Sequence, residues 1–299
     1  MRRFGPMFRK EFIQMRRDRL TLGIMTGIPV IQLLLFGFAI QTDVRHIPTV
    51  VLDESRTPTS REMIAAFVAQ VRNLAILSAA AHSRALPLET RIRPRYNPGL
   101  RSANYIVPGL VGVILTITMV LVTAMAIVRE RERGTLEQLI VTPITKTELM
   151  LGKISPYVGV GLVQMTTVLL LGRFVFDVPL TGNVLLLYGI AFVFIVASLA
   201  LGLFVSTLVR TQQQAMQTSF FFVLPNILLS GFMFPRQAMP ALFQWIGAFL
   251  PLTHFLKVLR GILLKGVGVT ELWQEMAILL LFATVLIALS VRRFQKTLD

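Results

Sequence analysis

The sequence predicts an all-α integral membrane protein with six transmembrane helices. Of its 299 residues, 54% are hydrophobic and 15% are charged, whereas soluble domains have about 45–50% apolar and about 25% charged residues. Six apolar runs reach the length of about 20 residues that a helix needs to cross a bilayer core of about 30 Å. Helices are the predicted conformation because an isolated strand cannot satisfy its backbone hydrogen bonds in lipid.

The predicted spans occur in order along most of the chain. They are residues 20–41, 105–128, 154–176, 184–209, 216–234 and 273–291. The first span follows a basic segment, but it is too long for the apolar core of a signal peptide and lacks a good cleavage site, so we interpret it as retained.

Basic residues predict the orientation. Seven lysines and arginines precede residue 20, and others cluster in the loop 129–153 and after residue 291. Because short loops rich in lysine and arginine stay in the cytoplasm, both termini and this loop are predicted to be cytoplasmic. The net charge of +15 would suggest nucleic acid in a soluble protein. Here the charges flank apolar runs, which favours membrane lipid headgroups as partners and argues against nucleic acid.

Three segments are predicted to lie outside the bilayer or only to enter it. Residues 1–19 are predicted to form an amphipathic helix on the membrane surface, with a basic tail that only sets the topology as the alternative. Residues 42–104 form a short external segment with strands around one helix, too small for a substantial core. Within residues 235–268, Pro240, Gly247 and Pro251 interrupt an uncharged stretch. They predict two short helices in an external re-entrant hairpin rather than a seventh span.

The loop 129–153 contains a predicted short helix. Thr135 and Gln138 form a capping-box pattern at its start, and Pro143 ends it. A second such pattern, Thr145 with Glu148, starts the third span. Leu139 lies on the apolar face of the short helix. A helix of this length is marginal alone, so it is predicted to dock into a groove of a partner; an ordinary interfacial loop helix is the alternative.

A few polar residues lie in or beside the spans. Arg173 lies one turn before Asp177 and is predicted either to extend its charge to the outer membrane surface or to form an i,i+4 pair with Asp177. His254, Lys257 and Arg260 recur every three residues, which predicts a basic stripe at the outer headgroups. Anchoring to anionic lipid is the favoured role of this stripe, and a gate for an amphiphile that leaves the membrane is the alternative. Four span residues could face a pathway or simply pack: Gln164, Thr167, Thr218 and Asn226.

The sequence lacks the motifs of several enzyme classes. It has no cysteine, its three histidines are far apart, and it contains no phosphate-binding loop. The predicted spans contain no carboxylate pair, which a proton-coupled carrier would normally need. We therefore predict neither a metal nor a cofactor bound by this chain, and no catalytic residues.

Residues 130–153, ERERGTLEQLIVTPITKTELMLGK, resemble the permease subunit of type-2 ATP-binding-cassette (ABC) transporters, which include bacterial drug and polymer exporters. Residues 96–110 and 235–268 resemble the family's entry into the second span and its external hairpin. The resemblance extends over nearly the whole chain. It departs from the larger members in residues 42–104, where their external domain is longer.

The resemblance implies six spans, an N-terminal elbow helix at residues 1–19, a dimer of permeases, and a coupling helix that fits a cleft in a separate ATPase. The coupling residues that the resemblance implies are Glu130, Arg133, Gly134, Thr135, Glu137, Gln138, Thr142 and Pro143. Leu139 is added to them because it lies on the predicted apolar face of the short helix.

The resulting hypothesis is the permease of an ATP-driven exporter in the bacterial inner membrane. ATP is bound and hydrolysed only by the partner. A homodimer and a heterodimer both remain open. Because the predicted spans carry few charges, the substrate is predicted to be hydrophobic or amphiphilic. A secondary carrier or channel, and a membrane scaffold without an ATPase, are the alternative functions.

Overall fold

The computed structural model describes residues 19–39, 102–134 and 146–293, together with the single positions 5, 9, 12, 13, 17 and 62. The predicted amphipathic helix at 1–19 and the external segment therefore lie largely outside the described residues. The chain divides into two units, one of Met1–Gln41 with Arg101–Asp299 and one of Thr42–Leu100. The architecture below is that of the first unit.

The described part of this unit is helical throughout, with short turns between the helices and no strand. Its α-helices are α1 (Arg19–Ala39), α2 (Ser102–Glu132), α3 (Lys146–Phe174), α4 (Val184–Ser206), α5 (Gln212–Leu229), α6 (Ala241–Ala248), α7 (Pro251–Arg260) and α8 (Val269–Arg293). A 3₁₀ turn at Arg236–Ala238 precedes α6, and a π-helical turn at Gly261–Lys265 extends α7.

Four described helices are long and apolar enough to cross a membrane, namely α2, α3, α4 and α8. The pair formed by α6 and by α7 with its π-helical turn also qualifies if it is counted as one broken span, bent by 84°. The predicted break into two short helices is confirmed, whereas the re-entrant course stays a prediction. The predicted first span corresponds to α1. The predicted fifth span, 216–234, is helical as α5 only to Leu229, because the chain turns after that residue. The count of six spans likewise stays a prediction.

Helix ends are set by local capping. Asn183 precedes α4, and its side chain accepts hydrogen bonds from the backbone N–H groups of Leu185 and Leu186. Thr211 and Gln214 form a capping box at the start of α5. Both arrangements satisfy N–H groups that the first turn of a helix leaves without partners. α3 begins at Lys146, directly after the Thr145 position predicted to cap it.

The core lies around α2 and α4. Phe194 of α4 stacks on Phe255 of α7, with ring centres 4.0 Å apart. At Gly202 the two central helices approach so closely that an added Cβ would lie 2.5 Å from the Val120 carbonyl oxygen. A glycine is required there because no larger residue leaves room for the backbone of α2.

Replacing Gly202 with alanine is expected to lower the free energy of unfolding by about 1–3 kcal/mol, since overpacking forces the backbones apart. Gly189 in the same helix is a matched control, because nothing lies within 4 Å of an added Cβ. Gly189→Ala is expected to be neutral or stabilising by up to about 1 kcal/mol through helix propensity. Denaturation in detergent measures both, and equal effects of the two variants would contradict the close approach.

Candidate functional site

The candidate site is the end of α2 that leads into the loop predicted to contain the short helix. Three of the predicted coupling residues, Glu130, Arg133 and Gly134, are described. The other six lie outside the described residues: Thr135, Glu137, Gln138, Leu139, Thr142 and Pro143.

Gly134 ends the helical part of α2. Its φ of +67° lies in the left-handed region that glycine adopts without strain, and its N–H donates to the Arg131 carbonyl at 3.1 Å. Arg133 is exposed. The chain therefore leaves α2 by a glycine turn, as is common at helix C-termini.

A buried ion pair connects the helices on the two sides of this loop. Glu130 near the end of α2 accepts a hydrogen bond from Lys153 in the second turn of α3. The Lys153 side chain is only 7% exposed and the Glu130 side chain 18%. The two ends of the loop are thus held together by charge as well as by helix packing.

Two other residues at this end of α2, Arg129 and Glu132, attach it to the start of α5. The Glu132 carboxylate accepts the Gln212 backbone N–H at 2.8 Å and a second hydrogen bond from the Gln212 side chain. The Gln212 side-chain oxygen in turn accepts Arg129 Nε at 3.1 Å. Gln212 therefore satisfies a cation and an anion of α2 at once.

Arg131 attaches the same end of α2 to the end of α4. Its Nη1 donates to the carbonyls of Ser206 at 3.2 Å and Val209 at 2.8 Å. Carbonyls at the end of a helix lack helical partners and carry partial negative charge, so an arginine there is favourable.

These contacts join four helix ends around one loop. We call the set the α2-end network: Arg129, Glu130, Arg131, Glu132, Lys153, Ser206, Val209 and Gln212. The four consecutive residues 129–132 at the end of α2 thus contact the other three helices.

The four predicted pathway residues are not brought together by any described contact. Gln164 of α3 is 1% exposed, and its amide donates to Thr118 Oγ1 of α2 at 3.0 Å. Thr167 donates to the carbonyl one turn earlier in its own helix. Thr218 is half-buried, and Asn226 is 1% exposed. In the described conformation, Gln164 and Asn226 therefore lie within packed helix interfaces rather than on an open channel.

Some buried polar atoms of these spans still have unused hydrogen-bonding capacity. Gln164 Oε1, Asn226 Oδ1 and the Ser219 hydroxyl make no hydrogen bond within the described part of the chain. Since buried polar groups are normally paired, they could accept a ligand or water when the helices separate.

The charges at the opposite ends of the helices differ in part from the prediction. The pair of Arg173 with Asp177 is confirmed, at 3.9 Å and largely exposed. The basic stripe of His254, Lys257 and Arg260 at the headgroups is wrong for two members. His254 is buried against Glu275 of α8, and Arg260 lies over the ring of Tyr105. Lys257 is half-exposed and also binds Glu275, at 2.7 Å.

The prediction missed Lys153, Gln212 and the roles of Arg129, Arg131 and Glu132. The alternating charges at this helix end were visible in the sequence. Because a helix has about 3.6 residues per turn, successive side chains point in different directions and can contact different neighbours. Within the residues that the structure describes, no three histidine, aspartate or glutamate side chains group as metal ligands.

Comparisons with known proteins point to one family. The model for ABC-2 family transporter proteins matches residues 66–292. The chain is 34% identical over 216 residues to the "Probable multidrug ABC transporter permease YbhS" of Escherichia coli, covering 71% of this chain and 56% of that protein. It is 36% identical over 188 residues to the similarly named YbhR of Escherichia coli, covering 63% and 51%.

A more distant relative is eukaryotic. The "ABC transporter G family member 20" of Dictyostelium discoideum is 29% identical over 197 residues, which are 65% of this chain and 27% of that protein. The chain spans about half the length of the Escherichia coli relatives that it matches.

Proposed function

Since the chain belongs to the ABC-2 family of transporter proteins, we propose that it is the permease subunit of an ATP-driven exporter, coupled to a separate ATPase through residues 134–143. The relatives are transport permeases rather than enzymes. The observation that carries the proposal is the α2-end network, which ties four helix ends to the loop that bears the coupling pattern.

The proposed mechanism is mechanical. ATP-driven closure of two ATPases pushes the residue 134–143 helix of each permease. The ion pair of Glu130 with Lys153 makes α2 and α3 respond together. The contacts of Gln212 and Arg131 carry the same displacement to α4 and α5. The helices then tilt, and a substrate pathway between them switches from inward to outward exposure.

The proposed substrate is hydrophobic or amphiphilic. The middle of α2, from residue 103 to 128, and that of α3, from 154 to 172, contain no charged residue. The buried polar groups of these segments and of α5 are neutral amides and hydroxyls, such as those of Gln164 in α3 and of Asn226 and Ser219 in α5. Neutral acceptors in apolar surroundings suit a largely apolar molecule with a few hydrogen-bonding groups. The multidrug description of the Escherichia coli relatives agrees with this class.

The proposed setting is the bacterial inner membrane, with six spans, both termini cytoplasmic and two permeases per transporter. Several apolar helices and the transport permeases of Escherichia coli that the chain resembles support a multi-pass membrane protein. The basic residues before residue 20, in the loop 129–153 and after residue 291 support the orientation. Exposed apolar side chains along α5, among them Phe221 and Leu224, provide surface for lipid or a second permease.

The test is affinity purification of the tagged permease from its native cells in mild detergent, with ATP and Mg²⁺ present. A soluble protein with a phosphate-binding loop is expected in stoichiometric amount. A second, different permease in the same sample would make the transporter a heterodimer. The control is an unrelated multi-pass protein with the same tag, purified in parallel. If no ATPase is enriched over that control, the coupling role is overturned.

A further inference from the structure

The ends of the helices far from the coupling loop are joined by a second polar cluster. The guanidinium carbon of Arg260, at the end of α7, lies 3.6 Å from the ring centre of Tyr105 in the first turn of α2. Arg260 Nη1 donates to the Gly231 carbonyl at 3.2 Å, and Tyr105 Oη donates to the same oxygen at 2.8 Å. One carbonyl after α5 therefore joins α2, α5 and α7. We call these three residues the Gly231 cluster.

The Gly231 cluster and the α2-end network lie at opposite ends of α2. Tyr105 and Arg131 are in one continuous helix, so their Cα atoms are about 39 Å apart at 1.5 Å per residue. This length exceeds a bilayer core of about 30 Å. The two polar clusters therefore belong to opposite membrane faces, and α2 connects them directly.

The backbone at Gly231 has a conformation that requires glycine. Its φ of +86° is a conformation that other residues rarely adopt. The next residue, Phe232, packs closely against α2. A Cβ added at Gly109 of α2 would lie 2.4 Å from the Phe232 ring. The turn after α5 is thus held against α2 by a fixed carbonyl and by a ring that fills the space behind it.

The attachments of α7 differ in strength. His254 and Lys257 both bind the carboxylate of Glu275, which fixes the first part of α7 to α8. Arg260 makes no ion pair with a carboxylate of the described residues, and its Nε and Nη2 form no hydrogen bond there. A cation held by an aromatic face and a neutral carbonyl is bound more weakly than one paired with a buried carboxylate. The polar attachment of α7 to α2 and α5 is therefore weaker than its polar attachment to α8.

We propose that Tyr105 and Arg260 are positioning residues that hold the permease closed at the face opposite the coupling loop, through the Gly231 carbonyl, and that this contact is released once in each transport cycle. The inference rests on the proposed function, because it assigns the release to ATP-driven movement of α2. Glu275 keeps α7 attached to α8 during the release.

The test uses a single thiol placed behind the contact. The chain has no cysteine, so Ser230→Cys introduces the only one. Ser230 is 3% exposed and adjacent to Gly231, and cysteine is nearly isosteric with serine. The rate at which a water-soluble maleimide labels this thiol, in membranes opened to reagent on both faces, reports whether the Gly231 cluster is closed.

Without nucleotide, adding Tyr105→Leu to Ser230→Cys is expected to raise the labelling rate about tenfold. This corresponds to a loss of about 1.4 kcal/mol in the free energy that favours the closed state. Arg260→Met is expected to act in the same direction. Tyr105→Phe keeps the ring under the guanidinium and loses only the hydroxyl, so its increase is expected to be smaller. Arg173→Met removes an exposed arginine at the end of α3, at the same ends of the helices, and is the matched control, with an unchanged rate.

Nucleotide provides the second comparison. In native membranes, ATP with Mg²⁺ is expected to raise labelling of the Ser230→Cys variant toward the rate of the Tyr105→Leu combination. In membranes from a host that lacks the ATPase, ATP is expected to have no effect, while the difference between variants persists. A melting curve for each variant shows whether it is folded.

Two results would overturn the inference. One is a folded Tyr105→Leu combination that is labelled as slowly as Ser230→Cys alone. The other is a slow labelling rate of the Ser230→Cys variant that does not rise when ATP is added, in membranes from which the ATPase co-purifies with the permease. If no ATPase co-purifies, the proposed function fails instead. The nucleotide-free comparison then still decides whether the Gly231 cluster closes this face.

Discussion

Replacing Glu130 with alanine is expected to lower the free energy of unfolding by about 3 kcal/mol. The variant removes the carboxylate that Lys153 binds, while the lysine side chain keeps its place between α2 and α3 with 7% of its surface exposed. Breaking one partner of a buried ion pair costs more than the intact pair contributes, because the remaining charge stays out of water. Denaturant titration in detergent, followed by circular dichroism, measures the change.

Two further variants separate charge from packing. The uncharged double variant Glu130→Gln/Lys153→Met is expected to regain more than half of the loss, since neither side chain then buries a charge. Asp177→Asn is the matched control, because it removes an ion pair of α3 whose partners are 48% and 75% exposed. Exposed pairs contribute little, so its effect should be much smaller. A double variant as unstable as Glu130→Ala would show that the loss does not arise from the buried charge.

The main helices could be predicted from the sequence because each has a local signal. The apolar run 105–128 corresponds to α2 and the run 184–209 to α4, since the bilayer imposes a minimum length on every span. Pro240, Gly247 and Pro251 located the break between α6 and α7, because proline and glycine interrupt a helix wherever it lies. Span length and helix breaks depend only on residues nearby in the sequence and on the surrounding bilayer.

The partners of the charged residues could be predicted only when they were close in sequence. The pair of Arg173 and Asp177 follows from one helical turn. Glu130 and its partner Lys153 are 23 positions apart in the sequence, and Glu132 and its partner Gln212 are 80 positions apart. These contacts therefore depend on how the helices pack. The sequence contained both halves of each contact but not their distance in space.

The error at α7 has the same origin. His254, Lys257 and Arg260 do recur at helical spacing, and cations at the end of a span are usually assigned to lipid headgroups. That assignment assumes that no carboxylate or aromatic ring is nearer than the lipid. Glu275 of α8 and Tyr105 of α2 provide such partners, and a buried partner replaces the headgroup without exposing the charge to hydrocarbon.

The double variant Glu137→Ala/Leu139→Ala is expected to reduce the ATPase recovered with the permease by about thirtyfold. Both residues lie in the part of the loop outside the described residues, and their role is the one that the family resemblance and the predicted apolar face imply. A short helix gains stability mainly by docking. Loss of an apolar anchor and a charged contact at the centre of an interface costs about 2 kcal/mol or more, and every 1.4 kcal/mol is tenfold in affinity.

The fold should survive this change, because the α2-end network uses none of the replaced side chains. Membrane insertion and melting temperature are therefore expected to match the unmodified permease. The matched control is Glu271→Ala/Leu185→Ala, which removes the same two residue types from exposed positions at the starts of α8 and α4. These helix ends lie far from the coupling loop, so the control should recover ATPase in full. If the loop variant and the control recover equal amounts, residues 134–143 are an ordinary interfacial helix, and the α2-end network only packs the bundle.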